Sequence, residues 1–301
     1  MNTNWKSLGW SAAAVVLLLT LATPLNAITF FLVMTPFVVL YTTLDTKKFI
    51  LHLLPIGAIA FLLSGALGPI VVTLALFFLV PAVVMGHLYK KGKPARTAVT
   101  AAFVILLAQI LLGLLQVSML LDFDIRAELT AMLAQSFKQF EEANLFEAGW
   151  AANTAQTFTD ALINMLPLML LGISLLFAVV GHGLSRLALR MAGFEAPALP
   201  KASTWRVPKS MVFYFLIVLI ASYAISEETG GYWRIAVTNL VPILQFVFLI
   251  QAIGFFFFLA EAKKWPKAVP VLICIPLVLF PQSFIIGLLD AAFPLRKSFV
   301  K

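Results

Sequence analysis

Charge is what this chain has least of. Lys and Arg number 21 and Asp and Glu 13 in 301 residues, 11% in all, against about 25% in a soluble domain. A water-facing surface for a fold of this size cannot be built from so few charges. Cysteine is nearly absent too. Cys274 stands alone inside an apolar run, so no disulfide within the chain and no CxxC-type metal spacing exists. It reads as a small buried apolar residue. The three histidines, His52, His87 and His182, lie in different apolar runs without ligand spacing, and no metal site is expected. HExxH, G-x-S-x-G, the phosphate-binding P-loop and a strand-flanked G-x-G-x-x-G are all missing, which removes the common catalytic signatures. No cofactor and no catalytic residue is assigned. The ten-residue alternation of a membrane β-barrel is lacking as well.

What is present is apolar length. Hydrophobic residues make up 62% and the mean hydropathy is +1.02. Runs long enough to cross a hydrocarbon core about 30 Å thick recur along the chain. They predict spans at Leu8–Thr23, Ala27–Leu44, Phe49–Ser64, Ile70–Leu88, Thr97–Leu121, Ala161–Ala188, Pro208–Ser226 and Arg234–Ala260. A last apolar segment, Ala268–Phe293, is interrupted by Pro270, Pro276 and Pro281. It reads either as a ninth span or as a broken pair that turns near Pro281. The fold class is all-α: a polytopic transmembrane helical bundle of about 8–9 spans, with residues 1–301 as one integral-membrane domain. The first run loosely resembles a signal peptide. Leu25 fits small-x-small cleavage poorly and another apolar run follows, so a retained first span is expected.

Between the fifth and sixth spans the character changes. Residues 122–160 carry seven acids against Arg126 and Lys138. Ile125, Leu129, Met132, Leu133, Phe137 and Phe140 recur at helical spacing, giving an amphipathic helix; the alternative is a solvated loop. The short basic loop Lys90–Arg96 has four positive charges and no acid. If it is cytoplasmic, alternation puts Lys6, Lys47, Lys48, Arg186, the basic loop 189–207 with Lys209, and Lys263, Lys264 and Lys267 on the same side. That side collects fifteen of the twenty-one bases, which decides the orientation as N-terminus in and the 122–160 segment out. The Glu227–Glu228 loop falls out as well, and each tryptophan lands near an interface. The net charge of +8 is therefore spent in loops beside an anionic leaflet. Nucleic acid is not an expected partner; the lipid bilayer is.

A few polar groups sit within the spans. Gln109, Gly113 and Gln116 share one face of the fifth, in line with Ala102. That face either lines a solute cavity or forms a packing seam. Asp160 and Asn164 make a similar i, i+4 pair, whereas Asn239 and Gln245 point apart. Gln109, Gln116 and Asn164 are the candidate substrate-binding residues. Asp290 is the only carboxylate deep in the last segment, and such groups are functional hypotheses by default. Its simplest partner is Arg296 or Lys297. The short echo between Ala82–Leu88 and Ala178–Leu184 is too brief to mark a repeat.

Pro81 with Gly86-His87-Leu88-Tyr89-Lys90-Lys91-Gly92, the acidic amphipathic segment, Trp205-Arg206-Val207-Pro208-Lys209-Ser210, and Gly287-Leu-Leu-Asp290 with Arg296-Lys297 carry a resemblance over most of the chain. They resemble the YybS-like family of uncharacterised bacterial membrane proteins, the domain of unknown function 2232. The resemblance implies a multi-pass protein of the bacterial plasma membrane. The family has no assigned activity but is similar to the substrate-binding (S) components of energy-coupling-factor vitamin transporters. These are small bundles that hold a solute near the outer face and dock on a separate subunit. This chain has more than six spans, which puts transfer of their pocket in doubt. Two readings follow: a solute-binding or transport-associated membrane subunit with a membrane partner protein, or a non-transporting scaffold whose basic loops dock cytoplasmic partners.

Overall fold

A computed structural model describes residues 3–121, 123–224, 232–293 and 295–299. Residue 122, Ser226, Glu227 and Glu228, which fall within the expectations above, lie outside the described residues. Among those described, every regular element is helical. In chain order they are α1 (Thr3–Thr20), α2 (Asn26–Leu32), α3 (Met34–Thr43), α4 (Thr46–Leu63), α5 (Gly68–Lys90) and α6 (Ala95–Leu121). Then come α7 (Ile125–Glu142), α8 (Trp150–Ala192), α9 (Ser210–Ala224), α10 (Tyr232–Ala262), α11 (Ala268–Leu279), α12 (Phe284–Ala292) and α13 (Leu295–Phe299). Helix is the only open-ended way to bury a backbone in hydrocarbon, because each N–H and C=O is paired within its own segment.

Among the described residues, six stretches are long and apolar enough to cross a membrane: α2 with α3, α4, α5, α6, α8 and α10. The pair α11 and α12 passes the same test together but is bent by 110° at its break. Two shorter apolar helices, Trp5–Thr20 and Ser210–Ala224, complete the nine apolar segments of the sequence. Six to seven candidate spans is what length and composition establish.

The chain divides into two compact units, one of residues 1–123 and 170–199, the other of 124–169 and 200–301. Helix α8 contributes to both. In the first unit, Val33, Met34, Phe37, Val38 and Leu40 from α2–α3 pack with Phe78, Ala82 and Met85 of α5. Gly86 permits the approach of α5 to α3: a β-carbon there would lie 3.0 Å from Thr42 Oγ1 and 3.0 Å from the Tyr41 ring. Phe78 stacks edge-on against Phe177, with ring centroids 5.5 Å apart. At the basic end, Asp45 caps α4 by accepting the Lys48 N–H at 2.9 Å, which holds its carboxyl below the usual range. Lys90 donates to the Leu44 carbonyl at 2.6 Å and lies over the Tyr41 ring. A lysine whose loop reads as a topology signal thus also closes the C-terminus of α3.

In the second unit α7 lies along the first turns of α8. The amphipathic element is shorter than 122–160, because the chain turns at Asn144 and Gly149, both at positive φ, and residues 150–160 already belong to α8. Phe137 packs on Trp150 and Phe158, Thr130 donates to Thr159, and Arg126 pairs with Asp160. The turn is held by Glu141, whose carboxylate accepts from Gly149 N at 2.8 Å and Ala151 N at 3.0 Å. These two donors hold its carboxyl below the usual range. A depressed folded value means the tie is complete above the ordinary carboxylate range and is lost as pH falls through that lowered value. Amide exchange at Gly149 and Ala151, corrected for intrinsic rate, is expected to quicken only as pH falls below the ordinary carboxylate range, and Glu141→Ala is expected to quicken it at neutral pH. Unchanged protection in Glu141→Ala would show that the turn does not depend on the carboxylate.

The rest of this unit is built on α10. Phe248 and Leu244 meet Phe215 of α9 and Ala291 of α12. Helix α12 crosses α10 at Gly287, where the two backbones touch: a β-carbon would overlap the Phe248 carbonyl and lie 2.7 Å from Ala252 N.

Candidate functional site

The last apolar segment supplies the most developed polar site. Helix α12 carries Asp290 inward, and the chain then breaks so that α13 returns Arg296 to it. Arg296 Nη2 lies 2.8 Å from Asp290 Oδ2, with the side chains 5% and 1% exposed. Its Nε donates to both carboxylate oxygens, at 3.2 and 3.0 Å. The same guanidinium donates from Nη1 to the Ser203 carbonyl at 2.6 Å and from Nη2 to the Trp205 carbonyl at 2.9 Å. Gln251 of α10 completes the cluster, donating through Nε2 to Asp290 Oδ2 and accepting the Val207 N–H at 2.8 Å. The Phe258 ring covers the guanidinium at 5.2 Å.

Of the two bases that the sequence offered Asp290, the structure selects Arg296; Lys297 is exposed. A buried charge is tolerable only when paired and fully hydrogen-bonded, and this one is. The cluster ties α10, α12, α13 and the chain at 203–207 at one point.

A second buried polar pair lies in the first unit. The Tyr89 hydroxyl and His182 Nδ1 are 2.5 Å apart, with Tyr89 2% and His182 3% exposed. Gly181, next along α8, packs on Met34, which seats the imidazole in the core. The other two histidines lie elsewhere: His52 Nδ1 is 3.2 Å from the Ser11 hydroxyl, and His87 is exposed, with its ring 6.5 Å from that of Tyr41. Among the described residues no group of three His, Cys, Asp or Glu is placed to hold a metal ion.

The three residues singled out by spacing are dispersed. Gln109 is half-buried on α6, and its Oε1 is buried without a hydrogen-bond partner among the described residues. Gln116, about 10 Å further along the helix, is exposed, and Gly113 between them faces open space. Ala102 on the same face is fully buried. The face is thus a packing seam at its Ala102 end and opens toward Gln116. Asn164 is exposed on the part of α8 that belongs to the other unit. A cavity of about 350 Å³ at the end of the first unit away from its basic loops is lined by Leu21, Thr23, Asn26, Leu67 and Ile70, among others, and by none of the three.

Spacing alone did not single out Gln251, Tyr89 or the carbonyls of Ser203 and Trp205. For Gln251 a signal existed, since an amide inside an apolar run needs a partner as Asp290 does. For Tyr89 and His182, 93 positions apart, there was none.

A family model described as "Predicted membrane protein (DUF2232)" matches residues 11–291. The chain is similar to "Uncharacterized protein YybS" of Bacillus subtilis (strain 168), 24% identical over 225 residues, covering 71% of this chain and 72% of that one. No solved structure matches.

Proposed function

We propose that this chain, which belongs to the DUF2232 family of predicted membrane proteins, is a solute-binding or transport-associated subunit of the bacterial plasma membrane, without catalysis of its own. In this reading it is multi-pass with 8–9 spans, the N-terminus is cytoplasmic, and α7 lies on the outer side. The tail returns to the cytoplasmic side through the bent α11–α12 pair. Arg296 on the carbonyls of Ser203 and Trp205 supports that return, because residues 189–207 form one of the basic loops.

The observation that carries the reading is Gln109. An acceptor buried in a membrane span without a partner asks for one, and a small solute with a hydrogen-bond donor supplies it. Gln116, further along the same face of α6, is the further candidate contact. The energy-coupling-factor S components stand as the analogy, with a separate membrane subunit as partner.

The test is a thermal-shift screen of the purified protein against vitamins and other small metabolites, repeated with Gln109→Leu. Without ligand, the substitution is expected to be neutral or stabilising by up to about 1–2 kcal/mol, because it removes an unsatisfied group. With the right solute, the wild-type shift is expected to vanish in the variant. Silence across a broad library would remove the solute reading. The scaffold reading would then stand, resting on Lys91, Lys93 and Arg96, which are exposed and make no ion pair among the described residues.

A further inference from the structure

At the basic end of the first unit, the opening turns of α1 lie beside the last turn of α8. A cavity of about 350 Å³ between them is lined by Trp5, Lys6, Gly9 and Trp10 on one wall and Met191 and Ala192 on the other. Gly9 is its floor, since a β-carbon built there meets nothing within 4 Å. Trp5 and Met191 are 70% and 74% exposed, so two large apolar side chains stand uncovered at the mouth. Lys6 Nζ is 3.5 Å from the Ala192 carbonyl, and no acid pairs with it among the described residues. Arg190, two positions before Ala192, is exposed and equally unpaired. Glu195 is the one acid between Ala192 and Val207.

We propose that this groove holds one anionic phospholipid of the adjoining leaflet. Its phosphate sits at Lys6 and one acyl chain lies over Gly9 toward Ala13. The order of chemistry along α1 is what argues for a lipid. Cation and indole come first, then a glycine floor, then Ala13, about 10 Å further along the axis. That is the order of headgroup, glycerol and chain on entering a bilayer, and aromatic rings with lysines are the side chains that settle at that depth. The charge is complementary to an anionic headgroup. A free phosphate would leave the uncovered Trp5 and Met191 without a purpose. Lipid binding here is independent of any solute bound by the protein.

Native mass spectrometry of the detergent-purified protein, titrated with phosphatidylglycerol or phosphatidylcholine, tests this. One phosphatidylglycerol per chain is expected to be retained in preference to phosphatidylcholine. Lys6→Gln is expected to weaken it about fivefold, the worth of one surface lysine against an anionic lipid, and Lys6→Arg to keep it. Gly9→Leu fills open space and is expected to abolish retention without lowering the thermal midpoint. Lys93→Gln, on the same basic end, is expected to have no effect. Equal retention of both lipids, wild-type retention in Gly9→Leu, or a loss in Lys93→Gln equal to that in Lys6→Gln would each overturn the proposal. So would full competition by millimolar inorganic phosphate, which would identify a free-anion site.

Discussion

Arg296→Ala is expected to cost about 3–5 kcal/mol of stability, the range for removing one partner of a buried ion pair. The loss has three parts. Asp290 is left as an uncompensated carboxylate on a side chain 1% exposed, the Ser203 and Trp205 carbonyls lose their donors, and the Phe258 ring loses its cation. Thermal or denaturant unfolding in detergent micelles reads it. The double substitution Asp290→Leu with Arg296→Met separates charge from packing. With both charges removed nothing is left unpaired, apart from the Gln251 amide and the two carbonyls, so the double variant is expected to be more stable than Arg296→Ala alone. A single substitution that costs less than about 1 kcal/mol would mean that the cluster is hydrated in solution and does not hold the carboxy-terminal segment.

The second large effect is steric. Gly287→Ala adds one methyl group where α12 touches α10. Its β-carbon would overlap the Phe248 carbonyl and press on Ala252 N. Both are backbone atoms, so no side-chain rotation relieves the overlap and the helices must part. Overpacking typically costs about 1–3 kcal/mol, and more when backbone has to move; about 3 kcal/mol or more is expected. The separation also draws Asp290, one turn on, away from Gln251, so the ion cluster loosens with the crossing. Gly113→Ala is the matched control. It adds the same methyl to a helical glycine with nothing within 4 Å, and is expected to stabilise by about 0.5–1 kcal/mol through backbone entropy. If the two variants melt together, the close crossing is absent in solution.

Most helices were legible from hydropathy to within a few residues, although α8 begins at Trp150, eleven residues before the expected Ala161. The basic loop at Lys90–Arg96 separates α5 from α6, and the acidic segment contains α7. The Asp290–Arg296 pair was legible too, because a carboxylate in an apolar run has few affordable partners and a base stood six positions away. The turn at 143–149 was not: it depends on two positive-φ positions and on Glu141 reaching Gly149 and Ala151, and it stands inside a stretch that otherwise reads as continuous helix. Nor was the fate of the Gln109 face, buried at Ala102 and open at Gln116, since helical spacing says which residues share a face and nothing of what covers it.

The sequence by itself determined that this is a helical membrane protein: 62% apolar and 11% charged residues mark a chain for hydrocarbon, and continuous apolar runs without ten-residue alternation select helices over a closed barrel. Tertiary structure alone decided which polar groups meet. Tyr89 finds His182 across 93 positions, and Arg296 finds the Ser203 carbonyl across the same separation. Hydropathy places each such group at a depth. Only the packing of helices at particular crossings, as at Gly86 and Gly287, gives it a neighbour.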